Sequence, residues 1–160
     1  MESLETHPQP GAATTVAIAR HPLHPMFVTF PIALLVSAVG SDLGYWYTQD
    51  PFWARMSIWL IGAGTTMGLL AAITGTIELL SERDIRTLTV GWSHFVAAMV
   101  MLSIGAANWA LRLGMPEDFI LPWGLFTSVL GAAMVAVSGW LGGNLVFDHQ
   151  VGIELDRYPD

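Results

Sequence analysis

Four long apolar stretches, separated by short polar connections, dominate the pattern of the chain. A helix needs about 20 consecutive apolar residues to cross the hydrocarbon core of a bilayer. Windows of that length predict membrane-spanning helices at residues 26–47, 56–80, 88–111 and 119–147. The predicted membrane domain covers 21–152, between a flexible polar tail at 1–20 and a second polar tail at 153–160.

The connections between these stretches carry turn residues or charge. Proline and glycine occur in "TQDP" at 48–51 and in "LGMPED" at 113–118, and "SERDIR" at 81–86 is a charged connector. Short connections place consecutive helices side by side in opposite directions. The predicted fold class is therefore all-α, an integral membrane four-helix bundle with up-down-up-down order.

The composition indicates that lipid, rather than water, surrounds most of this bundle. Hydrophobic residues make up 53% of the chain and charged residues 12%, whereas a soluble domain averages about a quarter charged residues. The net charge of -7, with no basic stripe, argues against a nucleic-acid partner. The chain has no cysteine, which excludes disulfides, iron–sulfur clusters and covalently attached haem, so any metal is held by nitrogen or oxygen.

The arginines predict how the bundle is oriented in the membrane. In a four-span order, both termini and the 81–86 connection share one side of the bilayer. That side carries Arg20, Arg83, Arg86 and Arg157, whereas the other side carries Arg55 and Arg112. Because positive residues concentrate in cytoplasmic loops, four against two predicts that both termini are cytoplasmic.

Four of the five histidines fall at this predicted cytoplasmic end, although they come from three separate segments. His21 and His24 precede the first span, His94 lies six residues into the third, and His149 follows the fourth. The proline after each of the first two favours extended backbone, and Pro25 suits the first turn of a helix. Each histidine alone is typical of a structural role, but their shared position predicts a common binding site.

A b-type haem is the cofactor that this set of residues favours. A bundle that supplies histidines from facing helices can hold a non-covalent haem by two axial imidazoles. We expect His94 to be one axial ligand and His24 or His149 to be the other, with His21 nearer the membrane interface. Two axial histidines leave no open position on the iron, which favours electron transfer, with a quinone or a redox protein as partner.

Two acidic residues lie inside the predicted spans. Glu78 is level with the histidines and could orient an imidazole or carry a proton. The favoured interpretation is that it reaches water and pairs with Arg83 or Arg86. Asp42 lies near the opposite end of the first span, where we expect a hydrogen-bonded structural role.

Two alternatives stay open at this point. A zinc or copper site needs three or four ligands close together, which His21, His24, His94 and Glu78 could supply. Alternatively, the chain is a non-catalytic structural or accessory membrane subunit, able to form a homo-oligomer, whose histidines only cap helices. An enzyme with a substrate of its own has no positive support.

Several of these segments together resemble a known family. They are "HPLHPMFVTFPIAL" at 21–34, Asp42, His94, and "SGWLGGNLVFDHQVG" at 138–152. They are similar to the bacterial predicted membrane proteins of domain-of-unknown-function family 2231, over roughly residues 20–152. The chain departs from the family pattern at Gln150, where relatives often have glycine, and at Thr29, where some have another histidine.

The resemblance implies a four-helix membrane protein of the bacterial inner membrane. Similar domains occur joined to Rieske or cytochrome c modules, which implies redox work. Carried over by position, the family's histidine pattern falls on His21, His24, His94 and His149. The absence of a histidine at Thr29 removes one possible ligand for a second haem.

Overall fold

The structure is a computed structural model that describes residues 16–18, 21–114 and 116–152. The described helices are α1 (Leu23–Thr48), α2 (Pro51–Ser81), α3 (Arg83–Thr87), α4 (Thr89–Arg112), α5 (Pro116–Phe119) and α6 (Leu125–Phe147). A π-helical turn, Ile120–Gly124, joins α5 to α6. The predicted all-α class, with four helices able to span a membrane, is confirmed.

Part of the predicted N-terminal tail is folded back against the start of α1. Two short antiparallel strands, β1 (Ala17–Ile18) and β2 (His21–Pro22), pair with each other. The amide of Leu23 donates to the carbonyl of Val16 at 3.0 Å. The rest of that tail and the predicted tail at 153–160 lie outside the described residues.

The first two spanning helices, α1 and α2, are longer than the apolar windows predicted. α2 begins at Pro51, ahead of the predicted residue 56, because the Asp50 carboxylate caps it by accepting from the amide of Phe52 at 2.9 Å. Pro51 occupies the first helical position, where its missing N–H costs nothing. Capping chemistry, rather than hydrophobicity, therefore sets where this helix starts.

One polar connection contains a helix that the sequence pattern did not predict, and the fourth span is interrupted near its start. The 81–86 connector holds the single-turn helix α3. The last span, Glu117–Phe147, is interrupted at Leu121, whose backbone is extended (φ -114°, ψ 131°). Pro122 follows directly, and a residue before proline is disfavoured in helical geometry.

The four long helices form a ring. α1 packs against α2 and α6, and α4 packs against the same two helices, so α1 and α4 face each other diagonally. The start of α1 contacts the later part of α2 through His24 and Ala71, and the end of α1 contacts the start of α2 through Asp42 and Ser57. Antiparallel helices make such contacts, and the up-down-up-down order of the whole bundle stays a prediction.

Most apolar side chains on these helices point away from the protein interior. Only 22% to 33% of the most apolar window of each span is buried inside the protein. The mid-bundle core is correspondingly thin: Leu35, Ala38, Ile61, Met101, Leu102 and Val135. The outward apolar surface is what a lipid bilayer covers.

Beyond this core, α4 ends in a fully buried arginine that joins all four long helices. The Arg112 guanidinium makes a bidentate ion pair with Asp42 of α1, at 2.6 and 2.8 Å. Its remaining donors reach the Ser57 hydroxyl at 2.7 Å, the Asn108 amide oxygen at 2.9 Å and the Ser128 hydroxyl at 3.0 Å. All five N–H donors of the guanidinium are therefore used.

The prediction that Arg112 lies in a loop is wrong, because both Arg112 and Asp42 are 0% exposed. A charge this deep is tolerated because it is paired and hydrogen-bonded on every side. The expected structural role of Asp42 is therefore that of a counter-ion across the diagonal of the bundle.

Removing the charge of Asp42 tests this role. Asp42→Asn leaves Arg112 buried without a counter-ion, so we expect a loss of about 3 to 5 kcal/mol in the free energy of unfolding. The measurement is unfolding in detergent micelles by titration with dodecyl sulfate. Arg55→Met is the matched control because Arg55 is exposed in the first turns of α2, and it should change stability by less than about 0.5 kcal/mol.

A double variant separates pairing from packing. Asp42→Leu with Arg112→Met replaces both charges by apolar groups and should recover much of the stability that Asp42→Asn loses. If Asp42→Asn unfolds at the same denaturant concentration as the unmodified protein, the network does not hold the bundle.

Candidate functional site

At the opposite end of the bundle, His24 is tied to the neighbouring helix. It is the second residue of α1, and its Nδ1 lies 2.7 Å from the carbonyl oxygen of Ala71 in α2. Because a carbonyl only accepts, Nδ1 carries the proton and donates. Gly75 makes the close approach possible, since a Cβ there would lie 2.7 Å from the same nitrogen.

His94 is held in the same way by the other pair of helices. Its Nδ1 lies 2.9 Å from the carbonyl oxygen of Ser138 in α6, so this ring also donates from Nδ1. A Cβ at Gly142 would lie 3.2 Å from the ring. One imidazole is therefore anchored across α1 and α2, and the other across α4 and α6.

The two rings meet across the diagonal of the bundle. Their centroids are 6.0 Å apart, and the ring planes are nearly perpendicular at 87°. Among the described residues, neither Nε2 atom has a hydrogen-bond partner. Since Nδ1 holds the proton in each neutral ring, both Nε2 atoms present a free lone pair.

Both rings line a cavity of about 620 Å³. Its walls are mostly apolar and come from all four long helices and the chain after α6. They include Leu79, Ile85, Phe95, Ala98, Leu145 and Val151. A second cavity of about 280 Å³ is lined by the same two imidazoles and by core residues such as Pro31, Met101 and Val135.

Glu78 lines the larger cavity and is buried, with 7% of its surface exposed. Its Oε1 has no hydrogen-bond partner within the described chain. Arg86 instead donates to the carbonyl of Leu80 at 3.1 Å, and Arg83 is exposed. The favoured interpretation, in which Glu78 reaches water and pairs with one of these arginines, is wrong because Glu78 is buried and neither described arginine forms an ion pair with it.

The other two candidate histidines are not brought to this pair. His149 follows α6, is exposed, and does not line either cavity. His21 contributes its backbone to β2, and its side chain lies outside what the structure describes. Of the two partners expected for His94, the geometry therefore places His24, and not His149, next to it.

The described residues contain no group of three or more histidine, aspartate or glutamate side chains that could hold a metal ion. The alternative of a zinc or copper site from His21, His24, His94 and Glu78 stays a prediction, because the side chain of His21 lies outside the described residues. What the structure brings together is a pair of imidazoles.

Sequence reasoning did not find the groups that orient this pair. The acceptors are the backbone carbonyls of Ala71 and Ser138. Because every residue has a backbone carbonyl, the residue type does not identify them. The glycines opposite the rings did leave a signal. Gly75 and Gly142 occur in stretches of small residues, which are common wherever membrane helices pack closely. The sequence therefore did not indicate that these two glycines make room for the imidazole rings.

A comparison with the profiles of protein families assigns the chain to a family. The profile of a family described as predicted membrane proteins, domain of unknown function 2231, matches residues 20–155. The chain belongs to this family. The match covers every helix that the structure describes, so the site at the histidine end lies within the family domain. Searches of curated proteins and of solved structures gave no match.

Proposed function

We propose that this member of the family is a membrane electron carrier that binds one b-type haem through His24 and His94. The observation that carries the proposal is the hydrogen bond that each ring makes through Nδ1. Each imidazole gives its Nδ1 proton to a backbone carbonyl of a neighbouring helix, at 2.7 and 2.9 Å. A metal-ligating histidine characteristically makes this bond, because it fixes the ring and makes the other nitrogen a better donor of electrons.

The spacing of the rings fits one shared ion. A metal–imidazole bond is about 2 Å long and the ring centre lies about 1 Å beyond the nitrogen, so two imidazoles on opposite sides of one ion have centroids about 6 Å apart. The observed separation is 6.0 Å. The rings come from diagonal helices, which leaves the space between them free of backbone.

The surroundings of the rings fit a flat apolar group. The cavity of about 620 Å³ falls within the range of cofactor sites. Its walls are aliphatic or aromatic, and the glycines beside both rings keep side chains out of the space. With no cysteine in the chain, attachment would be non-covalent.

A haem in this place supplies a one-electron redox centre, and the chain determines what that centre can do. His24 and His94 would both bind the iron of a haem held here, which would leave no open position for oxygen or a substrate. The apolar walls exclude water. These residues therefore favour electron exchange with a quinone or a redox protein.

In the accessory-subunit alternative, the same hydrogen bonds only hold neighbouring helices together. The two functions therefore predict different haem contents when the histidines are replaced. Haem content per protein after haem-replete expression, read as the pyridine haemochrome of purified protein, separates them. We expect about one haem per chain, falling at least tenfold in His24→Ala and in His94→Ala because each variant removes one axial ligand.

His149→Ala is the matched control, since this histidine is exposed, and it should keep its full haem content. If all three variants retain the same content, or if the unmodified protein binds no haem, the two imidazoles are structural. Metal analysis of haem-free protein would then show whether a zinc or copper ion takes their place.

We further propose that the histidine end of the bundle faces the cytoplasm of a bacterial cell. Among the described residues, Arg83 and Arg86 lie at this end and only Arg55 is exposed at the other, because Arg112 is buried. Arg20 and Arg157, which also entered the count, lie outside the described residues.

The cysteine-free chain allows a direct test of this orientation. A single cysteine at Asp84 should be shielded from a membrane-impermeant maleimide in spheroplasts, and one at Glu117 should react. The reverse pattern of labelling would place the histidine end outside the cytoplasm.

A further inference from the structure

We propose that the Glu78 end of the larger cavity binds a lipid-soluble quinol, an apolar ring that carries hydroxyl groups, and that Glu78 accepts a hydrogen bond from one hydroxyl. Binding rests on the cavity and on Glu78 alone. The further role of this ligand as the electron donor rests on the proposed function: each quinol would give up two electrons, one at a time, to the haem and on to its redox partner, and two hydroxyl protons, the first of them to the Glu78 carboxylate.

The first support is the state of Glu78 itself. Its side chain is more than nine-tenths buried, yet Oε1 has no partner among the described residues. Leaving a buried acceptor unsatisfied costs about 1 to 3 kcal/mol, and more when the group is charged. Native proteins leave few such groups, so an unpaired acceptor on a residue that lines a cavity indicates a ligand that supplies the missing donor.

The second support is that several described side chains lining the cavity present unpartnered acceptor atoms. The two imidazoles present Nε2 lone pairs and Glu78 presents a carboxyl oxygen. The hydroxyl protons of Thr29 and Thr76 are already donated to carbonyls of their own helices, at 2.9 and 2.6 Å. A hydroxyl group of a ligand would therefore find an acceptor among these side chains.

The walls and the opening of the cavity indicate that the ligand is hydrophobic outside its hydroxyl groups. Leu79, Ile85 and Phe95 make the Glu78 end apolar. Met26 and Met99 line the same cavity and are 55% and 43% exposed on spanning helices, where lipid covers them. A ligand that enters this way comes from the membrane, so it is hydrophobic apart from its hydroxyl groups.

The position of Glu78 leaves room beside the histidine pair. Both imidazoles line both cavities, whereas Glu78 lines only the larger one. A group held by the rings can thus use the space that the cavities share, and the Glu78 end stays available. An electron donor bound there would be next to the redox centre.

The test compares two probes that differ only in their hydroxyl groups. Tetramethylhydroquinone and its dimethyl ether are titrated into purified protein by calorimetry, with empty micelles as blank. The solution is anaerobic and contains excess dithionite, so that any redox centre is already reduced and the heat reports binding. We expect the quinol to bind at least tenfold more tightly than the ether. Equal affinities would overturn the inference, without the need for any variant.

Variants then assign the preference to Glu78. Glu78→Leu removes the acceptor and should weaken quinol binding about tenfold, whereas Glu78→Gln keeps an acceptor oxygen without the charge and should weaken it less, with little effect of either on the ether. Asp84→Asn makes the same carboxyl-to-amide change at an exposed position of α3 and should bind like the unmodified protein. Unchanged quinol affinity in a folded Glu78→Leu variant would also overturn the inference.

The absorption spectrum of the same sample keeps the two proposals separate. A b-type spectrum without preference for the quinol overturns this inference and leaves the proposed function standing. A tenfold preference for the quinol in protein that takes up no haem overturns the proposed function and leaves the binding site standing.

Discussion

The arrangement of the bundle depends on one buried guanidinium. Lipid gives apolar helices no reason to associate, so specific polar contacts and close packing must hold them together. Arg112 supplies these contacts to all four long helices at once, with Asp42 as its counter-ion across the diagonal. Because an unpaired charge in this place would be very costly, the network fixes which helices are neighbours and which are opposite.

At the other end of the protein, the same two diagonal helices, α1 and α4, bring His24 and His94 together. The two ends use polar groups in opposite ways. Around Arg112 every donor is satisfied, and the structure there is closed. Around the histidines the Nδ1 atoms are satisfied, whereas both Nε2 atoms and Glu78 Oε1 have no partner among the described residues, and all three side chains line a large cavity. One end of the bundle is thus built to hold the fold, and the other has the unsatisfied acceptors that a ligand would need.

The sequence predicted the parts of this picture that follow from length and topology. Apolar length gave the four spans, and the alternation of their directions put Glu78, His24 and His94 at one end. It did not predict the Arg112 network, because an arginine next to a turn was counted as a loop charge and its partners are far away in sequence. His149 was expected near the pair only because it lies on the same predicted side of the membrane. The side of the membrane does not distinguish a residue that faces inward from one that is exposed.

The central claim is that His24 and His94 share one iron. Electron paramagnetic resonance of the ferric protein at low temperature tests it most directly, because the spin state reports how many axial positions are filled. A low-spin signal that accounts for all the haem iron agrees with two imidazole ligands. A high-spin, five-coordinate signal, or the absence of any haem signal from protein expressed with ample haem, contradicts the claim.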